Sequence, residues 1–181
     1  MSPTGNLDQE TRSRSWWIPA RLAFAILLGM IVLQMLIYYP QLPAQVASHF
    51  DAAGHPNGWS SRSAYLALHT FIVLVVTLCF VALPAWLEGA PARLVNLPNK
   101  GYWLAPERRA TTMARIASAL TWFGCAGLGF VLIITSLVID VDLGRESVLP
   151  AVPFLAVLGG IALCTVLLIL RLLYVGRSPP S

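Results

Sequence analysis

Four long apolar runs separated by short polar stretches dominate the chain. Leu22–Tyr39, Ala64–Leu83, Ile116–Ile139 and Ala151–Leu170 are each 18 to 24 residues long and contain no Asp, Glu, Lys or Arg. About 20 residues of helix cross the hydrocarbon core of a bilayer. A segment in lipid has no water to satisfy its backbone groups, so each run predicts a transmembrane helix. The fold class is all-α, a polytopic bundle of four transmembrane helices. The first run exceeds the roughly 7–15 residues of a signal-peptide core, and no A-x-A site follows closely, so it reads as a retained span. The organisation is then an arm over 1–21, a segment 22–115 holding two helices with an outer loop and a basic inner loop, a second helix pair over 116–175, and a tail over 176–181.

Composition agrees. Hydrophobic residues make up 57% of the chain and charged residues 11%, against about 25% charged in a soluble domain. The net charge of +4 does not point to nucleic acid, because the cations flank the apolar runs. Arg12, Arg14, Arg21, Arg93, Lys100, Arg108, Arg109, Arg115, Arg171 and Arg177 fall on one side, and only Arg62 and Arg145 on the other. That bias predicts cytoplasmic termini, N-in/C-in, with the first and third loops outside. Asp51, Asp140, Asp142 and Glu146 fall outside, while Asp8, Glu10, Glu88 and Glu107 meet the inner cations. Trp16, Trp17, Tyr38, Tyr39, Trp59, Tyr65, Trp86, Tyr102, Trp103 and Tyr174 sit near span ends, where amphipathic rings settle.

Small residues recur every fourth position in two spans: Ala117, Thr121, Cys125 and Gly129 in the third, Ala156, Gly160 and Cys164 in the fourth. Such stripes let backbones approach, and they predict that these two helices pack face to face. Cys79, Cys125 and Cys164 lie in apolar runs without a CxxC partner, which assigns them to packing.

The outer loop carries the candidate chemistry. Pro40 ends the first helix, and Pro43 is expected to start an amphipathic turn with Val46, Ala47 and Phe50 resting on the bilayer. HPNGW reads as a reversal built on Pro56, Asn57 and Gly58. Ser60 or Ser61 is placed to cap the second helix. His49, Asp51 and His55 remain, with side chains that bind divalent metals, and Asp140 and Asp142 are available to complete a shell. Their spacing matches no established ligand set, and Gly54 and Pro56 work against a helix that would align Asp51 with His55. A hydrogen-bonding role is therefore the first reading, and a membrane-embedded metal site or metalloenzyme the alternative. No HExxH or GxSxG is present, so the chain reads as non-enzymatic and without a cofactor.

His69 lies about two turns inside the second span. An intramembrane ionisable residue is a functional candidate; the plainer reading is a neutral imidazole bonded to a neighbouring helix. On the inner side, NLPNKGYWLAPERR holds Asn96, Pro98, Tyr102, Trp103 and Arg108. Pro106 with Glu107 reads as the first turn of the third helix, and Arg108 and Arg109 reach toward anionic headgroups. A docking surface for a cytoplasmic partner is the sharper alternative.

The stretch YPQLPAQVASHFDAAGHPNGWSSR resembles a bacterial membrane family known as domain of unknown function 1648, through Pro43, His49, Phe50, Gly54, Gly58 and Trp59. NLPNKGYWLAPERR resembles a second segment of such proteins. The resemblance implies a multi-pass protein of the bacterial plasma membrane. Its larger relatives of the SdpI type are immunity proteins that also sequester a repressor, and they carry an additional C-terminal membrane domain beyond the four spans seen here. The expected role is a sensor, immunity or accessory factor. Its surroundings are the lipid bilayer, with a peptide or membrane protein as partner and no nucleic acid.

Overall fold

The structure, a computed structural model, describes residues 18–175. Asp8, Glu10, Arg12, Arg14, Trp16, Trp17 and Arg177 lie outside the described residues, as do the side chains of Glu88 and Tyr174. The elements run α1 (Ile18–Tyr38), a tight turn Tyr39–Gln41, β1 (Gln45–Phe50), β2 (Pro56–Ser61), α2 (Arg62–Thr77), a wide π-wound turn Leu78–Ala82, α3 (Leu83–Gly89), α4 (Lys100–Trp103), α5 (Pro106–Asp142) and α6 (Ala151–Val175). Four stretches are long and apolar enough to cross a membrane: Ile18–Gln41, Arg62–Leu87, Pro106–Asp142 and Ala151–Leu173. The chain is thus a multi-pass, predominantly helical membrane protein with one small sheet.

The helix starts follow local chemistry. Ser61 Oγ accepts the Ala64 amide at 3.2 Å and caps α2. Pro106 opens α5, with Glu107 in its first turn beside the positive end of the helix dipole. At 37 residues, α5 is about 55 Å long. That exceeds the roughly 30 Å hydrocarbon thickness, so its polar first turns stand clear of it.

The chain forms two compact units. Among the described residues, the first comprises 18–24, Thr77–Cys125 and 164–175. Its organising feature is Pro84, which is fully buried in a helix that continues through it. Proline has no amide hydrogen, so the carbonyl four residues back, that of Phe80, loses its usual partner. Thr121 Oγ1 of α5 lies 3.0 Å from that carbonyl and 3.0 Å from the Ala117 carbonyl of its own helix. The π-wound turn just before Pro84 accommodates the displaced ring. Gly124, one turn on, receives the Phe80 side chain: a Cβ there would lie 2.5 Å from Phe80 Cβ and 3.0 Å from Phe24.

These contacts correct the expected pairing of small stripes. Ala117, Thr121 and Cys125 are indeed buried. Their partners, however, are the π-wound turn and α1, where Cys125 Sγ lies 3.6 Å from the Ala20 carbonyl. A Cβ on Gly129 or Gly160 would meet nothing within 4 Å, and none of the apolar window of α6 is buried. The stripe on α5 answers the carbonyl that Pro84 leaves open rather than a matching stripe on α6.

The second unit comprises Ala25–Val76 and Ala126–Leu163. Its core is Met35, Leu42, Val46, Val138 and Ile139, with Tyr38, Phe50, Tyr65 and Leu149 packed against it. Two polar bonds cross it inside the apolar layer. Gln34 Nε2 donates to Ser136 Oγ at 2.6 Å and to the Leu132 carbonyl at 3.2 Å. His69 Nδ1 lies 3.3 Å from Thr135 Oγ1.

The Pro84 account is tested by a double-mutant cycle of unfolding in mild detergent. Thr121→Val is expected to cost about 1–2 kcal/mol. In a Pro84→Ala background, where residue 84 supplies its own amide, most of that cost is expected to vanish.

Candidate functional site

The segment between α1 and α2 is a β-hairpin. Its reversal lies at Asp51–Gly54, where the Gly54 amide donates to the Asp51 carbonyl at 3.0 Å and the Asp51 amide to the His55 carbonyl at 2.9 Å. Aspartate at the first and glycine at the fourth position are the preferred residues of a type I turn. Asp51 Oδ1 accepts the Ala53 and His55 amides, each at 2.9 Å. The His55 amide is the main reason its carboxyl sits below the usual carboxylate range, although the group is exposed. Gly54 has φ +86°, the left-handed conformation that favours glycine.

Two expectations are corrected here. The segment after Pro43 is not an amphipathic turn on the bilayer but strand β1, and HPNGW is not the reversal but mostly strand β2. The register runs Gln45↔Ser61, Val46↔Ser60 and Ala47↔Trp59, then jumps to His49↔Gly58 and Phe50↔Pro56. Val46 and Ala47 precede these irregularities and stand in regular register, yet both are buried, so both faces of β1 are covered there. Val46 belongs to the protein core, and Phe50 packs against it. Gly58 is required for close approach, since a Cβ there would fall 3.0 Å from the His49 ring.

The helix ends clamp this hairpin. The Ala47 amide on the edge of β1 donates to Asp142 Oδ1, at the last residue of α5, at 2.9 Å. The Leu149 amide donates to the Gly54 carbonyl at 2.8 Å. Arg62 donates from its backbone to the Ala44 carbonyl at 3.0 Å. Its guanidinium donates to the Leu42 carbonyl at 3.2 Å and lies 5.0 Å from the centre of the Tyr39 ring. Arg145 pairs with Asp140 at 2.9 Å and lies 5.3 Å from the Tyr38 ring centre. Arg62 and Arg145 are therefore both engaged locally, and the first and third loops lie against each other.

The outer motif thus divides by role. Phe50 anchors the hairpin to the core, Asp51 and Gly54 make the turn, and Gly58 admits His49. Pro43 and Trp59 are exposed, Trp59 to 60%. His55 Nδ1 lies 3.7 Å from Asp51 Oδ1. Among the described residues, no three His, Cys, Asp or Glu side chains are grouped to hold a metal ion. Asp140 and Asp142, expected as further ligands, point instead to Arg145 and to the Ala47 amide.

His69 is 6% exposed, and Tyr65 stacks near it with ring centres 6.4 Å apart. Its bond to Thr135 matches the expected contact with a neighbouring helix. Gln34 was not singled out by the sequence, though a lone amide in an apolar run is a signal of interhelical bonding. In the loop before α5, Arg108 lies 4.1 Å from the centre of the Tyr102 ring, and Trp103 meets Tyr102 edge-on at 4.9 Å. Arg109 donates to the Ala90 carbonyl. Asn96 and Pro98 are exposed in the approach to this cluster.

Residues 25–75 match the model of a family described as Domain of unknown function (DUF1648). No curated protein and no solved structure matches the chain. The matched stretch coincides with the first segment of the second unit, Ala25–Val76. The other segment, Ala126–Leu163, supplies Thr135, Ser136, Asp142 and Leu149 to it.

Two glycines with positive φ separate backbone strain from steric contact. A Cβ on Gly54 would lie 2.6 Å from the Leu149 carbonyl oxygen, whereas on Gly144 (φ +69°) it would meet nothing. Gly144→Ala is expected to cost about 1 kcal/mol from strain alone. Gly54→Ala adds that collision and is expected to cost about 2–4 kcal/mol, measured by thermal unfolding of the two variants.

Proposed function

We propose that this chain, which belongs to the DUF1648 family through residues 25–75, is a non-enzymatic protein of the bacterial plasma membrane working as a sensor, immunity or accessory factor. Its hairpin is the receiving element on the outer face. The placement of ten of the twelve lysines and arginines on the opposite side supports N-in/C-in insertion.

The observation that carries the reading is the double attachment of the hairpin, Ala47 to Asp142 and Gly54 to Leu149. A peptide or membrane-protein partner meeting the exposed Trp59 face shifts the helices only if it binds one of their arrangements better than another. The attachments give it purchase on the ends of α5 and α6, and the shared core gives it purchase on α1. Asp51 and Ser61 are occupied with holding the turn and capping α2, which favours reception over catalysis. Tyr102, Trp103 and Arg108 form an amphipathic, cationic cluster suited to the headgroups of the inner leaflet.

Two measurements on cells test this. Ser60→Cys is expected to react with a membrane-impermeant maleimide in intact cells; labelling only after permeabilisation would invert the topology. A deletion strain is expected to lose tolerance or response to the peptide fraction of its own culture medium. Wild-type chain should restore it, and Gly54→Val at equal abundance should not. Equal restoration by both, or no effect of the medium, would overturn the receiving role.

A further inference from the structure

Among the described residues the hairpin is a two-stranded sheet, so each strand has one edge that no other strand covers. The edge of β1 is closed, because Asp142 Oδ1 takes the Ala47 amide. The edge of β2 is open, and the register identifies the groups that lie on it. The Arg62 amide donates to the Ala44 carbonyl. Along an antiparallel ladder, pairs that exchange hydrogen bonds alternate with pairs that do not. Val46↔Ser60 is therefore a bonded pair and Ala47↔Trp59 a non-bonded one. The backbone groups of a non-bonded pair point away from the ladder, and the Ala47 amide does so, toward Asp142. The Trp59 amide and carbonyl then point the opposite way, off the edge of β2, and the Ser61 amide with them. No hydrogen-bond partner covers Trp59 there among the described residues.

Edge strands are ordinarily protected by a charge, a proline or a covering element. β2 has no charged residue, and its one proline, Pro56, stands at the turn end of the strand. Trp59 is exposed beside the open groups. We infer that β2 takes up an extended, uncharged segment of a peptide as a third strand, bonded to the Trp59 amide and carbonyl and to the Ser61 amide. This inference rests on the receiving role proposed above and gives it a mode of binding. Main-chain hydrogen bonds to a sheet edge supply affinity for any extended chain, and the side chains alongside select among chains. An aromatic or β-branched residue opposite Trp59 suits its ring. No residue of β2 would pair with a charge on the added segment.

Length selects a short peptide segment over a second copy of the chain. The open groups run only from Trp59 to Ser61, between the irregular register at Gly58 and the start of α2 at Arg62. Pairing β2 with itself across a two-fold axis would set the turn of each copy beside the first turn of α2 in the other. A short added strand ends before either.

The test uses the full chain in lipid nanodiscs, isotopically labelled at its tryptophan amides, with the peptide fraction of the culture medium as probe. The Trp59 amide is identified by its loss from the spectrum of Trp59→Phe. Added probe should move its proton downfield, saturably, and slow its exchange with solvent by about tenfold or more. Protease treatment of the probe should remove both effects. In the cell assay, Trp59→Ala, which deletes the ring, is expected to weaken the response about threefold. Trp59→Pro, which deletes the amide as well, is expected to weaken it about thirtyfold. If the probe acts on cells but leaves the Trp59 amide unchanged, the receiving role stands and this inference falls. If it acts on neither, both fall. Protection of the Trp59 amide before any probe is added, lost on dilution of the chain in lipid, would assign the edge to a second copy and overturn the inference. Should Trp59→Pro fail to fold, the amide measurement on the wild-type chain still decides the matter.

Discussion

A carboxyl group at the end of a helix is in an unfavourable place, because the negative end of the helix dipole lies there. Asp142 occupies that position in α5, and its Oδ1 accepts the backbone amide of Ala47 at 2.9 Å. The unfavourable placement is offset by what the contact does. β1 would otherwise present an open edge, and an unpaired amide in a partly buried setting is costly. Asp142 closes that edge and ties the only sheet among the described residues to the longest helix. Leu149 on the Gly54 carbonyl and Arg62 on the Leu42 carbonyl complete the attachment. With the hairpin so held, Val46 and Leu42 can bury against Met35, Val138 and Ile139, and α1, α2 and α5 share one core.

The same rule, that a polar group away from water must find a partner, organises the rest. Pro84 opens a carbonyl and Thr121 closes it; Gln34 reaches Ser136; His69 reaches Thr135. Each bond joins elements distant in sequence and so selects which helices meet. Hydrophobicity drives the chain into the bilayer, but it does not discriminate between neighbours there. The few polar side chains do. Among the described residues the rule leaves over four buried atoms, Gln34 Oε1, His69 Nε2, Trp103 Nε1 and Asp142 Oδ2.

Much of this was legible before the structure. Charge-free runs of sufficient length give four spans, and Pro106 and Ser61 mark helix starts by known capping chemistry. The hairpin was hidden because both faces of β1 are covered at Val46 and Ala47, which are buried side by side, so no period of two is visible. Its turn was misplaced because Pro56, Asn57 and Gly58 advertise a reversal more loudly than Asp51 and Gly54, which make it. The small stripe on α5 announced a close approach without saying by what. Only the missing amide of Pro84 identifies the partner, and reading it requires looking four residues back to Phe80 and across to Thr121. The outer motif was found as a set, but its members serve the turn and the packing. Their meaning depends on Asp142 and Leu149, which lie some ninety positions away in the chain.

Amide hydrogen exchange of the peptide covering residues 45–61, in lipid nanodiscs, tests the clamp most directly. In the wild-type chain the hairpin should exchange slowly. Asp142→Ala should raise its exchange by at least tenfold while the peptides of α1 and α2 remain protected. Unchanged protection of the hairpin in that variant would contradict the account, because the sheet would then stand without the helix end said to hold it.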